Sequence, residues 1–150
     1  MYLDFKELLL AFNEHNVEYL IVGAHALAVH GHIRATKDLD VWVRPDRSNA
    51  QKVLAALSDF GAPLLDLTAD DLSRKATVFQ IGLPPFRIDI ITSIDSVEFA
   101  EAWPDRFEAS FGDVPVFVLS RHHLITNKKT TARLQALADV QQLDNLPSSH

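Results

Sequence analysis

Hydrophobic and polar residues follow two periods along this chain, one typical of helices and one of strands. Apolar residues recur at helical spacing from Phe5 to Phe12 and again from Ser48 to Phe60. Short runs rich in branched and aromatic residues indicate strands. The predicted helices are 5 to about 15, 24–29, 48–60, one or two turns from Thr68, 96–103 and 120 to about 143, with a break near Asn127 as an alternative for the last one. The predicted strands are 19–22, 38–43, 77–81, 86–91 and one or two within 107–118, broken at Gly112–Asp113 and Pro115.

The segment from Tyr19 to Val43 carries the most informative pattern. An apolar strand stops at Gly23, a run of small and apolar residues follows, and a basic loop with Arg34 and Lys37 leads into the next strand. A glycine at this turn lets the backbone approach a phosphate closely, and the helix that follows offers free N–H groups to it. The alternative is an ordinary strand-to-helix turn without a ligand.

Two carboxylates lie at the start of the strand that follows this loop. Side chains alternate along a strand, so Asp38 and Asp40 point to one face while Leu39 and Val41 point into the core. Adjacent carboxylates repel each other unless a cation lies between them. An oxygen-rich pair of this kind suits Mg²⁺ or Mn²⁺.

A third carboxylate interrupts a later apolar strand. Asp89 lies among isoleucines in the run Arg87–Ile91, and a buried charge without a partner is costly. If this strand lies beside the one that carries Asp38, then Asp89 completes a cluster of three carboxylates. The alternative is that Asp89 pairs with Arg87 or Lys37.

Composition sets the bounds on these hypotheses. With 150 residues, 47% of them hydrophobic and 23% charged, the chain has the size and composition of one globular domain. We expect this domain to span residues 1–143 and the tail 144–150 to be frayed. A net charge of −6 argues against a broad nucleic-acid surface. Without an apolar run of membrane-spanning length or a signal-like start, we expect a cytoplasmic protein with no membrane partner.

The spacing of these motifs is similar to that of a known superfamily. Gly23–Ala24, then Asp38-Leu-Asp40 beginning fifteen residues after the glycine, then Asp89 on a later strand resemble the DNA polymerase β-like nucleotidyltransferases. The strings Val-Gly-Ala-His-Ala from Val22 and Arg-Ala-Thr-Lys-Asp-Leu-Asp from Arg34 further resemble small bacterial domains of the AbiEii and minimal nucleotidyltransferase kind. The resemblance implies an α/β (α+β) nucleotidyltransferase fold, a small mixed β-sheet with helices packed mainly on one side.

The resemblance also implies roles for individual residues. Asp38, Asp40 and Asp89 would bind Mg²⁺ or Mn²⁺ and carry catalysis. The candidates for binding nucleotide phosphates are Gly23, Ala24, Arg34, Lys37, and Lys128 or Lys129 on the last helix. Ala24 departs from the pattern, because the superfamily commonly has glycine or serine there and a serine hydroxyl to phosphate is lost.

The implied reaction moves a nucleoside monophosphate from an NTP, with ATP as the default, to a hydroxyl acceptor. Similar small domains act in toxin–antitoxin and defence pairs, so the expected acceptor is a protein, a tRNA end or a small molecule. The acidic net charge favours a protein or small acceptor over RNA. The alternative function is a non-catalytic, antitoxin-like module that recognises a partner protein.

Overall fold

The computed structural model of the protein describes residues 5–31, 37–82 and 86–144. The predicted tail therefore falls, apart from Asp144, outside the described residues. The strands are β1 Tyr19–Val22, β2 Asp38–Val43, β3 Val78–Ile81, β4 Arg87–Ile91, β5 Phe107–Phe111 and β6 Val114–Val118. The helices are α1 Phe5–Glu14, α2 Gly23–Val29, α3 Arg47–Phe60, α4 Ala69–Leu72, α5 Phe99–Ala102, which runs into a 3₁₀ turn at Trp103–Asp105, and α6 Arg121–Asp144.

The six strands of the described residues form one mixed sheet in the order β3-β4-β2-β1-β6-β5. β2 pairs antiparallel with β1 and parallel with β4. β1 pairs parallel with β6, and the outer strands β3 and β5 pair antiparallel with their neighbours. The prediction of an α/β (α+β) fold with a small mixed sheet is confirmed, and the strand that carries Asp89 lies beside the strand that carries Asp38.

The two faces of the sheet pack against different helices. Tyr19 of β1 lies edge-on against Phe12 of α1, with ring centroids 5.7 Å apart, and α3 packs against α1. Trp42 of β2 pairs across the strands with Leu20, so it points to the opposite face, where its ring lies 5.0 Å from Phe99 of α5. Such aromatic pairs contribute about 1 kcal/mol beyond their buried area. The carboxylates of β2 share the Trp42 face.

The start of α3 holds the ends of β1 and β2 together. Asp46 accepts a hydrogen bond from the Asn49 N–H at 2.7 Å, which caps the helix. The buried Asn49 side chain accepts from the Glu18 N–H and donates to the carbonyls of Glu18 and Arg44. One amide therefore satisfies backbone groups of both strands where they begin and end.

Pro115 does not interrupt a strand, contrary to the expectation from sequence. It lies within β6 and pairs with Ser110 of β5. In the described sheet, β6 pairs with β1 at its far end, where Val118 lies opposite Ile21. Proline is tolerated in a strand where its missing N–H is not required by a neighbour.

Two helices also differ from the prediction, one in where it begins and one in its continuity. α5 begins at Phe99 rather than Ser96, because Ser96 has a positive φ of 66° that a helix does not accept. α6 continues unbroken past Asn127, whose side chain donates to the Asp95 carbonyl at 3.1 Å instead of competing for its own backbone. Although α6 has 24 residues, no helix of the described segments is both long and apolar enough to cross a membrane.

Candidate active site

The parallel pairing of β2 with β4 brings the predicted carboxylates together. Asp40 lies opposite Asp89, and Asp38 lies opposite Arg87. Because side chains two residues apart share a face, all four side chains project from one side of the sheet. Leu39, between the two aspartates of β2, is fully buried on the other side.

The Asp40 carboxyl is the most perturbed acid of this cluster. Burial, the negative charges of Asp89 and Asp38, and a hydrogen bond with Asp89 raise the pKa of Asp40 to about 6, while the nearby positive charge of Arg87 opposes the shift. The opposed register positions of Asp40 and Asp89 place the two carboxyl groups next to each other on one face.

Arg87 forms ion pairs with two of the three acids. Its Nε lies 3.1 Å from Asp89 Oδ1, and its Nη2 lies 3.4 Å from Asp38 Oδ2 and 3.5 Å from Asp89 Oδ2. The Asp89 side chain is 14% exposed, against 31% for Arg87 and 44% for Asp38. Asp89 therefore does both things considered from sequence: it joins the carboxylate cluster and pairs with Arg87.

One oxygen of the cluster lacks a hydrogen bond. Asp89 Oδ1 and Arg87 Nε are both buried, and despite their 3.1 Å separation neither makes a hydrogen bond, because the N–H is misaligned. The contact is an ion pair without hydrogen-bond geometry. A buried carboxylate oxygen left in this state is available to another donor or to a cation.

The donor set suits a hard divalent cation, but the side chains do not yet surround one. Within residues 5–31, 37–82 and 86–144, no three acidic, histidine or cysteine side chains form a group that could hold a metal ion as they stand. The Arg87 guanidinium lies between Asp38 and Asp89. Asp40 and Asp89 offer adjacent carboxylate oxygens, the ligands that Mg²⁺ and Mn²⁺ prefer. The chemistry of these residues therefore fits such an ion, although the described side chains are not arranged around one.

The turn between β1 and α2 lies directly against this cluster. Gly23 has a positive φ of 72°, which favours glycine, and a Cβ at this position would overlap Asp40 Oδ2 and lie 3.2 Å from Asp40 Cγ. The sequence predicted Gly23 as a turn that approaches a phosphate. The structure adds a second reason for glycine, because the missing side chain is the space that the Asp40 carboxylate occupies.

A cavity of about 390 Å³ opens beside this turn, between α2 and α6. It contains Gly23, Ala24 and Lys128 from the predicted set, whereas Lys129 is not among the described residues that line it. The other lining residues are Leu27, Leu124, Asn127, Thr131 and Ala132. Sequence reasoning missed these, although residues 124, 127, 128 and 131 recur at the spacing of one helix face.

Lys37 and His25 are not among the described residues that line this cavity. Arg34 falls outside the described residues. Lys37 is exposed, and its backbone carbonyl accepts the Arg87 N–H at 3.2 Å. The His25 ring packs between Phe5 and Phe111, at 5.8 and 5.6 Å, and burial lowers its pKa. These ring contacts give His25 a packing role between α1 and β5.

The sequence matches, over residues 2–146, a family described as "Nucleotidyltransferase of unknown function (DUF6036)". The chain belongs to this family. The prediction of a nucleotidyltransferase enzyme is thereby confirmed. No protein of curated function matches the sequence significantly.

Solved structures of other nucleotidyltransferases share the fold of this one. A crystal structure of a candidate nucleotidyltransferase from Thermotoga maritima superimposes with a TM-score of 0.69 at 10% identity, covering 93% of this chain and 89% of that one. The solution structure of the antibiotic-resistance factor ANT(2'')-Ia superimposes with a TM-score of 0.55 at 19% identity, covering 95% and 74% of the two chains. At these identities the likeness establishes the fold alone.

Proposed function

We propose that this nucleotidyltransferase transfers a nucleoside monophosphate from an NTP, with ATP as the default donor, to a hydroxyl group of an acceptor. The observation that supports the proposal most is the position of Gly23. This residue lines the cavity between α2 and α6 and also lies against the Asp40 carboxylate. A triphosphate in the cavity would therefore reach the carboxylate cluster without any rearrangement of the backbone.

In the proposed reaction the acceptor oxygen forms a bond to the α-phosphorus as the bond to the departing pyrophosphate breaks. Asp89 accepts the hydroxyl proton, so that the products are the nucleotidylated acceptor, pyrophosphate and a proton. Asp38, Asp40 and Asp89 would hold Mg²⁺ or Mn²⁺. When bound, such ions neutralise charge on the attacking and leaving oxygens of a phosphoryl displacement.

The rest of the site positions the triphosphate. No side chain caps the start of α2, which leaves the N–H groups after Gly23 without a side-chain acceptor there. We propose that Gly23 and Ala24 receive the β- and γ-phosphates and that Lys128 provides the positive charge. Arg34 and Lys37 are proposed to contact phosphates from the loop before β2. Positioning and charge neutralisation of this kind supply most of the catalysis in phosphoryl transfer.

The acceptor is proposed by class. A protein, a tRNA end or a small molecule fits the exposed carboxylate side of the cluster, and the net charge of −6 favours a protein or small acceptor over RNA. The same proposal includes a role in a toxin–antitoxin or defence pair. It also includes an AbiEii-like subtype and a cytoplasmic location. The fold neighbour ANT(2'')-Ia is named as an antibiotic-resistance factor, which is a reason to include small antibiotics among the acceptors tested.

The test is label transfer from each α-³²P NTP with Mg²⁺ into host lysate, total tRNA and a panel of small hydroxylated compounds. The wild type is compared with Asp40→Asn and with Asp66→Asn, a matched change at an exposed position of a loop. We expect label on one acceptor, lost in Asp40→Asn and retained in Asp66→Asn. Absence of label on every acceptor, together with absence of NTP binding by calorimetry, would overturn the proposal.

A further inference from the structure

We propose that Arg87 is an internal counter-ion that stabilises the carboxylate cluster without metal and competes with the divalent ion for Asp38 and Asp89. The inference rests on the proposed function, because it takes these carboxylates as the metal ligands. It assigns to Arg87 a role that neither the family match nor the fold indicates. Arg87 acts through the ligands, so it is a positioning residue.

The position of Arg87 follows from the strand register. It lies opposite Asp38 in the parallel pair and two residues before Asp89 on its own strand, so both acids are its neighbours on the same face. The guanidinium group is a planar fork that can contact two carboxylates at once. Nη2 is placed almost equally far from Asp38 and Asp89, at 3.4 and 3.5 Å.

The charge of the cluster explains why a cation is needed there. Asp38, Asp40 and Asp89 together carry up to three negative charges on two adjacent strands, and Asp40 lies directly opposite Asp89. Arg87 supplies one positive charge between the acids. Without metal, this charge offsets the destabilising repulsion between close, partly buried carboxylates.

The contacts of Arg87 are also weak enough to be exchanged. Its separations from the two acids, 3.1 to 3.5 Å, are longer than those of a strong guanidinium–carboxylate pair, and the closest of them lacks hydrogen-bond alignment. The side chain is 31% exposed, so it can turn towards solvent while the backbone of β4 keeps its pairing. A divalent ion would take its place with two charges and shorter bonds to oxygen.

This competition predicts that removing the guanidinium strengthens metal binding and lowers the stability of the metal-free protein. Arg87→Met keeps an apolar stem of similar length but has no charge. We expect the variant to bind Mn²⁺ about tenfold more tightly without nucleotide, as follows from removing one full charge near the ion in a partly exposed site. We also expect it to unfold at lower urea concentration in EDTA, and added Mn²⁺ to reverse most of that loss.

The experiment measures free Mn²⁺ by electron paramagnetic resonance during titration of the full chain, and urea unfolding of the same proteins in EDTA. Arg74→Met is the matched control, because Arg74 pairs with Asp70 on the surface, at 3.7 Å. It should leave Mn²⁺ affinity unchanged. If Arg87→Met does not fold in EDTA, Arg87→Lys is measured instead. We expect Arg87→Lys to bind Mn²⁺ about threefold more tightly than the wild type, because lysine keeps the charge but lacks the planar, two-pronged guanidinium group.

The outcomes separate this inference from the proposed function. If both Arg87 variants bind Mn²⁺ as tightly as the wild type or less tightly, the proposed role of Arg87 is overturned. The nucleotidyl-transfer proposal is unaffected by that result. Absence of Mn²⁺ binding by every protein, with and without NTP, overturns the metal site and with it both proposals. Tighter Mn²⁺ binding with lower metal-free stability supports the inference.

Discussion

Replacing Gly23 by alanine tests the contact between the β1–α2 turn and the carboxylate cluster. The new Cβ would overlap Asp40 Oδ2 and lie 3.2 Å from Asp40 Cγ, and the residue would keep a φ of 72°. The left-handed conformation costs alanine about 1–2 kcal/mol. Turning the Asp40 side chain away from its rotamer costs roughly another 1 kcal/mol. We therefore expect Gly23→Ala to lower the free energy of unfolding by about 2–3 kcal/mol.

The effect on activity should exceed the effect on stability. To restore ordinary contact, the Asp40 carboxylate must move by about 1 Å, and a displacement of that size at reacting groups lowers the rate by about a hundredfold. The assays are urea unfolding, Mn²⁺ titration and label transfer from α-³²P NTP. Weakened Mn²⁺ binding together with the loss of transfer would locate the damage at Asp40 rather than at the cavity.

Gly61→Ala is the matched control for this prediction. Gly61 follows α3 with a φ of 89°, and an added Cβ there meets nothing within 4 Å. It carries the same backbone cost without a clash, so it should lose about 1–2 kcal/mol of stability and keep Mn²⁺ binding and transfer. The reasoning is refuted if Gly23→Ala behaves like Gly61→Ala in all three assays.

Two further predictions concern the cavity and the acid cluster. Lys128→Ala should weaken NTP binding by about tenfold in calorimetry, because Lys128 lines the cavity and one charge-assisted contact is worth about that much. Lys129→Ala should leave NTP binding unchanged. Equal losses of affinity in both variants would contradict this. The pKa of Asp40 is raised to about 6, so the folded protein binds this proton more tightly than the unfolded chain does. The stability that protonated Asp40 contributes is complete below the ordinary pKa of 3.8, and it is lost as the pH rises through 6. In EDTA the wild type should therefore lose more stability than Asp40→Asn between about pH 4 and pH 7 in urea unfolding, and identical pH profiles would show that Asp40 does not titrate this way.

The local pattern was sufficient to predict most elements and the shared face of the acids. Alternation along a strand places Asp38 and Asp40 together whatever the rest of the fold does. The position of Asp89 beside them depends on which strands pair, and this could be inferred only from the resemblance. The parallel β2–β4 register then decides that Asp40, rather than Asp38, lies opposite Asp89.

Other features depend on packing between distant segments and leave no local signal. The overlap that a Gly23 side chain would make with Asp40 requires the β1–α2 turn to lie on β2, which no spacing in the sequence predicts. The position of Lys128, rather than Lys129, at the cavity follows from the rotation of α6 about its axis. Pro115 is accepted in β6 because the described pairing with β1 is confined to the end of that strand.

Two interpretations of Asp89 compete in the sequence, and the structure shows the ion pair while the metal site stays a prediction. A carboxylate two residues from an arginine on one strand predicts an ion pair, and a third acid near Asp38 and Asp40 predicts a metal site. In the structure the arginine occupies the space between Asp38 and Asp89 while the acids remain clustered. Spacing alone does not decide which cation the acids prefer, because that depends on the free energy of exchange.

The most direct test of the proposed function is a crystal structure of the full chain with Mn²⁺ and a non-hydrolysable ATP analogue. The anomalous signal of manganese locates the ion independently of the fold. We expect a peak bound by Asp38, Asp40 and Asp89, the triphosphate in the cavity beside Gly23 and Lys128, and Arg87 turned away from Asp38. A nucleotide bound elsewhere, or Arg87 still between the acids with no manganese peak, would contradict the proposed mechanism.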